Sequence, residues 1–255
     1  MVNKSIVIGK NTFKEALRLR SYQIILVFAL LLLGSSQLFS FLTPAEQLKM
    51  IKDVSLSGIE FFSALMAIFA AMMSLRSEFE TNTISTLLSK PLRRYQFIFG
   101  KFLGMALVIT LSIILMSLVF AGLILFKQRS FEIGLFSALF LIWAEMLVII
   151  AITLAVAAFA STAFTLIFVL FLFFVGHLTG YGLEISQQMK NPYLQIITRF
   201  FYRVVPNFEN FAIRDQIVVG TTVPVSYLLK TFGYGLLYTA IALILCLYFF
   251  RYREV

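Results

Sequence analysis

The side chains able to do chemistry in this chain are few and widely separated. Glu145 stands inside an apolar run from about Ile133 to Phe159, His177 is the only histidine and Cys246 the only cysteine. A single cysteine excludes an intrachain disulfide and any cysteine-based metal cluster, and this one reads as a small packed or lipid-facing residue. Metal-assisted hydrolysis needs histidines and carboxylates at helical spacing, as in HExxH, and nucleophilic catalysis needs a nucleophile beside a base. Neither pattern occurs, so the sequence assigns no catalytic and no metal-binding residue. Nucleotide hydrolysis needs a glycine-rich loop followed by Lys and Ser or Thr, which neither Gly9-Lys10-Asn11 nor Gly100-Lys101-Phe102 completes. Glu145 itself costs about 2.5–3.5 kcal/mol at the centre of a bilayer. It should therefore face other helices or a wet cavity, either as a polar point or cation partner on a substrate path or as a hydrogen-bonded packing residue. His177 is expected in a structural, interfacial role near the outer end of its span.

The elements that must position these residues follow from composition. Of 255 residues, 60% are hydrophobic and 29 are Phe, and the mean hydropathy is +0.95. A water-soluble core cannot hide that much apolar surface. The charged residues, 13% of the chain, gather between apolar stretches of about 20 residues, the length of a membrane-spanning helix. The expected fold is an all-α polytopic transmembrane helical bundle in one domain, residues 1–255. Its net charge of +9 sits in segments flanking the apolar runs, where it faces lipid headgroups, so the partners implied are membrane lipids and not nucleic acid.

Residues 1–20 carry Lys4, Lys10, Lys14, Arg18 and Arg20, with Ile6, Phe13 and Leu17 on one helical face, and predict an amphipathic elbow helix at the membrane surface. Its basic segment is long and no A-x-A site follows the next apolar run, so it reads as an uncleaved start. Six spans are expected: Tyr22 to Leu42, Ile59 to Leu75, Phe102 to Phe126, Ile133 to Phe159, Ala163 to Thr179 after a tight turn at Ser161-Thr162, and Tyr227 to Phe250. Of the 21 Lys and Arg, twelve fall on the side of the N-terminus and nine on the other. The excess belongs inside, which places both termini in the cytoplasm of a cell whose inner membrane holds the chain.

The stretch RSEFETNTISTLLSKPLRRYQFIFGKFLG, Arg76 to Gly104, is too polar to span. Thr81, Asn82 or Thr83 can cap a short helix in which Ile84, Leu87 and Leu88 share a face. Lys90 before Pro91 ends it, and Pro91 opens a second helix carrying Arg93 and Arg94 along the headgroups into the third span. A helical elbow of this kind suits docking into another protein's groove, or lies on the membrane as a connector. The pattern E-x-E-x-x-T-I-x-x-L-L-S-K-P followed by R-R-x-x-F-x-x-G-K resembles the cytoplasmic segment of ABC-2 type exporter permeases. It comprises Glu78, Glu80, Thr83, Ile84, Leu87, Leu88, Ser89, Lys90, Pro91, Arg93, Arg94, Phe97, Gly100 and Lys101. The layout of the whole chain is similar as well.

The resemblance implies that residues 76–101 form a coupling segment. Its helix, Thr83 to Lys90, would sit in a groove of a separate ATP-binding subunit, with Glu78 and Glu80 at the entrance. ATP and Mg²⁺ would then belong to that partner, with no cofactor in this chain, and a second permease, identical or related, would complete the substrate path of an alternating-access exporter. Residues 180–226 would form an extracytoplasmic connection, whose Ile196, Ile197, Phe200, Phe201, Val204 and Val205 read as a membrane-hugging or re-entrant helix. Gly100-x-x-x-Gly104 and Gly176-x-x-x-Gly180 have the spacing that lets helices approach closely. Two other readings compete: a membrane-embedded protease or lipid-modifying transferase, which the scattered polar residues support poorly, and a scaffold whose elbow binds a regulator.

Overall fold

A computed structural model describes residues 4–35, 44–80, 94–128, 133–180, 205–221 and 223–252, and among them there are eight α-helices and no strand. In chain order these are α1 (Lys4–Arg18), α2 (Arg20–Ser35), α3 (Pro44–Glu80), α4 (Arg94–Gln128), α5 (Ile133–Ala157), α6 (Thr162–His177), α7 (Arg214–Val219) and α8 (Val225–Tyr252). Among the described residues, four segments are long and apolar enough to cross a membrane: Glu46–Arg76, Arg94–Lys127, Gly134–Ala157 and Val225–Arg251. The pair α1 and α2, bent by 66° at Leu19, makes a fifth if taken as one broken span. The fifth expected span, Ala163 to Thr179, corresponds to α6, which is apolar throughout but only 16 residues long. It stops at His177, where Leu178 caps the helix by donating to the carbonyl of Val175.

The helix boundaries depart most from the expected ones at α3. That helix is 37 residues long and includes Lys49, Lys52 and Asp53, which the hydropathy pattern assigns to a loop. Pro44 at its first position is pre-organised for a helix start, and no further Pro or Gly occurs before Gly58. Its charges are carried by tertiary partners: the Arg214 Nε of α7 lies 3.0 Å from Asp53 Oδ1, and Arg214 Nη1 donates to Ser57 Oγ. Ser161 caps α6 by accepting from the Phe164 amide at 3.4 Å, so the expected tight turn into that helix is where it was placed.

The elbow helix is present, and its closest contact with the bundle is made by small residues. Ile6 and Val7 point outward, whereas Ser5, Gly9, Thr12 and Ala16 are buried against α4. These small residues recur at i, i+4, i+7 and i+11, one stripe of a helix. They meet Gly100 and Gly104, so closely that a Cβ on Gly104 would lie 2.6 Å from the Gly9 carbonyl oxygen and a Cβ on Gly100 would lie 2.8 Å from that of Ser5. In lipid, apolar surface gives little drive for helix association and close backbone approach replaces it. The first glycine pair therefore serves an intrachain contact. Lys101, beside it, is buried: its Nζ donates to the Ser74 carbonyl of α3 at 3.2 Å and lies 3.6 Å from Glu15 of α1.

Polar contacts also link the spans. The Tyr22 hydroxyl of α2 is hydrogen-bonded to Ser112 of α4, whose own hydroxyl donates to the Val108 carbonyl at 2.9 Å. Trp143 Nε1 of α5 donates to Thr110 Oγ1 of α4 at 2.9 Å. Each satisfies a group that lipid cannot.

Candidate functional site

Three helices bring ionisable side chains together inside the bundle. Glu60 comes from α3, Glu145 from α5 and His177 from the last turn of α6, and one ligand atom from each lies within 4.8 Å of the other two. His177 Nε2 is 2.7 Å from Glu60 Oε1 and 3.6 Å from Glu145 Oε1. Its Nδ1 faces the Phe173 carbonyl at 3.0 Å. A carbonyl only accepts, so Nδ1 carries a hydrogen and Nε2 is the nitrogen turned toward the two carboxyl groups.

Glu145 is fully buried, as its cost in lipid requires, and neither of its oxygens has a hydrogen-bond donor. Two carboxyl groups facing one imidazole in a dry interior are unfavourable when both are charged, and need a proton or another cation between them.

The site is roofed by the segment before α8. Phe208 begins a short 3-10 turn, Phe208–Asn210, and is buried with its ring centroid 5.8 Å from that of His177 and 6.4 Å from that of Phe173. The second glycine pair explains how the roof comes so close. Any side chain at Gly176 would run into the Phe208 ring, and one at Gly180 would run into the Glu209 carboxylate, which instead accepts the Gly180 amide at 2.7 Å. The roof is tied to α8 by the Tyr227 hydroxyl, which donates to the Asn210 carbonyl, and by the Asn207 amide, which donates to the Tyr234 hydroxyl, both at 2.8 Å.

The opposite end of the bundle carries the basic positions. Lys10, Lys14 and Arg18 are exposed on α1. Arg94, expected along the headgroups, instead caps the end of α8: its Nη1 donates to the Arg251 carbonyl at 3.0 Å, where a cation also suits the negative end of the helix dipole. Thr83, Ile84, Leu87, Leu88, Ser89, Lys90, Pro91 and Arg93 lie outside the described residues, as do Ile196 to Val204 of the outer connection. Glu78 and Glu80 fall in the last turn of α3. At about 1.5 Å per residue, α3 carries the chain roughly 30 Å from Glu60 to Glu80.

A family model described as ABC-2 family transporter protein matches residues 6–255, essentially the whole chain. The chain belongs to the ABC-2 transporter family. No curated protein matches it. Members of the family are in general the non-enzymatic transmembrane components of ABC transporters and associate with an ATP-binding subunit, so the chain is an integral membrane protein and a permease subunit of an ABC transporter.

Of the residues singled out in the sequence, the structure brings Glu145 and His177 together and leaves the described basic positions Lys10, Lys14, Arg18 and Arg94 away from them. The imidazole of His177 turns inward to Glu60. Glu60 was passed over, because it lies 117 positions from His177 and no linear spacing connects the three. The signal that could have found it is the one applied to Glu145: an acidic residue within the apolar Ile59 to Leu75 run.

Proposed function

We propose that this ABC-2 permease is the membrane half of an ATP-driven exporter of the inner membrane, with six spans, both termini cytoplasmic and a second permease completing the path. In this reading a separate ATPase subunit with its ATP and Mg²⁺ grips the Thr83 to Lys90 helix, with Glu78 and Glu80 at the mouth of its groove. Closure of two such subunits displaces that helix, and the spans convert the displacement into alternating access.

The observation that carries the reading is the match of the family over residues 6–255, joined to the E-x-E to R-R pattern between the last turn of α3 and the start of α4. Two structural features support it. The helix α3 is unbroken from Pro44 to Glu80, so movement at its end reaches Glu60 without an intervening hinge. Lys101 and Gly104 hold the elbow helix to α3 and α4, so the three elements nearest the docking segment move as one body.

The test is a mild-detergent pull-down of the tagged full chain with its ATPase partner, followed by an ATPase assay on the complex. Leu87→Asp places a charge on the apolar face of the docking helix, and is expected to abolish recovery of the ATPase while the chain itself still elutes as the wild type does. Recovery of the ATPase in undiminished amount would sink the docking reading.

A further inference from the structure

We propose that Glu60, Glu145 and His177 form an intramembrane binding site for one divalent transition-metal ion of the zinc class. The donor set is two carboxylates and one imidazole, a combination that suits Zn²⁺ and its neighbours. Ca²⁺ prefers six to eight oxygens and Mg²⁺ a nearly complete octahedron with retained water, whereas this pocket offers a nitrogen and is walled by Phe173 and Phe208. Charge agrees as well: two carboxylates and a neutral imidazole sum to −2, which one divalent ion neutralises.

Geometry supports the same assignment. Ligands about 2.0–2.2 Å from a tetrahedral ion lie about 3.3 Å from one another. The atoms here are 2.7 and 3.6 Å apart for the two contacts of His177 Nε2, and none of the three exceeds 4.8 Å from another. Shifts of no more than about 1.5 Å would bring them to an ion. The hydrogen bond from His177 Nδ1 to the Phe173 carbonyl fixes the ring so that Nε2 points inward, which is how ligating histidines are commonly oriented.

Glu145 supplies the independent observation. It is 0% exposed, it aims into the cluster and neither oxygen has a donor. Its carboxyl neighbour Glu60 can bond to it only through a proton placed between the two, whereas Tyr22, Trp143 and Thr153 in the same bundle carry their own donors. Arg214, a guanidinium whose charge reaches His177, is held by Asp53 at 3.0 Å and by Ser57. With three protein ligands on three helices and a fourth position open, the ion would link α3, α5 and α6 under the Phe208 roof.

The test uses the purified full chain in detergent, carrying an affinity tag without histidine, stripped with chelator and then equilibrated with Zn²⁺. Bound metal is counted by elemental analysis. About one Zn²⁺ per chain is expected in the wild type, and the isosteric Glu60→Gln and Glu145→Gln chains should bind at least about 100-fold more weakly, beyond the ten- to hundred-fold typical of outer-shell changes. Size-exclusion elution reports whether each variant is folded. A second measurement needs no variant: Co²⁺ added to the stripped wild type should give the visible absorption of a low-coordinate site. Zn²⁺ should abolish that absorption, and an excess of Mg²⁺ or Ca²⁺ should not. Absence of stoichiometric Zn²⁺, absence of that Co²⁺ absorption, wild-type affinity in either folded variant, or displacement by Mg²⁺ or Ca²⁺ would each overturn the proposal. Because binding is measured on the chain without its ATPase, loss of the docking reading would leave this result standing, and the reverse.

Discussion

Gly104→Ala isolates what holds the elbow helix to the bundle. The added Cβ would stand 2.6 Å from the Gly9 carbonyl oxygen and 2.6 Å from Thr12 Cβ, against an ordinary contact of about 3.5 Å. Both opposing atoms belong to the frame of α1 and cannot swing aside by a side-chain rotation, so α1 as a whole must retreat by about 1 Å. That retreat opens the contact of Gly100 with Ser5 and Ile8 and stretches the pair between Lys101 and Glu15, now 3.6 Å. Overpacking of this kind costs about 1–3 kcal/mol, offset by the roughly 0.5–1 kcal/mol that Ala gains over Gly inside a helix. The midpoints of these ranges leave a net loss of about 1 kcal/mol, a factor of about 5 in the unfolding equilibrium. Gly122, on the same helix with nothing within 4 Å of its Cβ position, is the matched control: Gly122→Ala should be neutral or slightly stabilising. Both variants would be unfolded by SDS titration from mixed micelles. A Gly104→Ala chain as stable as Gly122→Ala would refute the claim that backbone approach, and not the apolar side chains of α1, secures the elbow.

Three further expectations rest on single contacts. Lys101→Met keeps the buried stem but removes a charge-assisted hydrogen bond to the Ser74 carbonyl, and should destabilise the chain by about 1–2 kcal/mol. Glu15→Gln, at the 40% exposed end of the ion pair, should cost under about 1 kcal/mol; equal effects in the same titration would argue against this ordering. Thr110→Val removes the acceptor of the only tryptophan, so the fluorescence maximum of Trp143 should move to shorter wavelength, and an unchanged spectrum would count against that bond. Cys246 is fully buried, with its thiol directed at the Leu154 carbonyl at 3.4 Å. A membrane-permeant maleimide should leave the folded chain unlabelled and label it completely in SDS.

The existence of the apolar helices was legible because windows of about 20 apolar residues have no other reading in so hydrophobic a chain. Their ends were less so. Lys49, Lys52 and Asp53 look like loop in any hydropathy count, yet they belong to α3, because the partner that makes Asp53 tolerable in a helix is Arg214, which is 161 positions later and visible only once the chain is folded. The elbow helix was legible as a helix, but its closest contact with the bundle was not. Ranking positions by hydrophobicity picks out Ile6, Phe13 and Leu17, as it would for a helix in water. The side that packs is Ser5, Gly9, Thr12 and Ala16.

That inversion runs through the whole bundle and bears on the site. Leu31, Leu118, Phe126 and Ile167 are among the most exposed residues, while Ser63, Ser112, Thr153 and Thr165 are almost fully buried. When lipid is the solvent, an apolar side chain is nearly indifferent to whether it faces lipid or protein, so hydrophobicity carries little information about which face of a span is interior. A small or polar side chain is not indifferent, since only the interior offers it close packing or a partner. The informative residues of such a sequence are therefore the exceptions within its apolar runs, read one by one. On that rule Glu60 ranks beside Glu145 from the start, and two acidic exceptions on separate spans already imply a shared interior partner. The lone histidine is a further ionisable exception at an apolar helix end, and it is the residue the fold places between them.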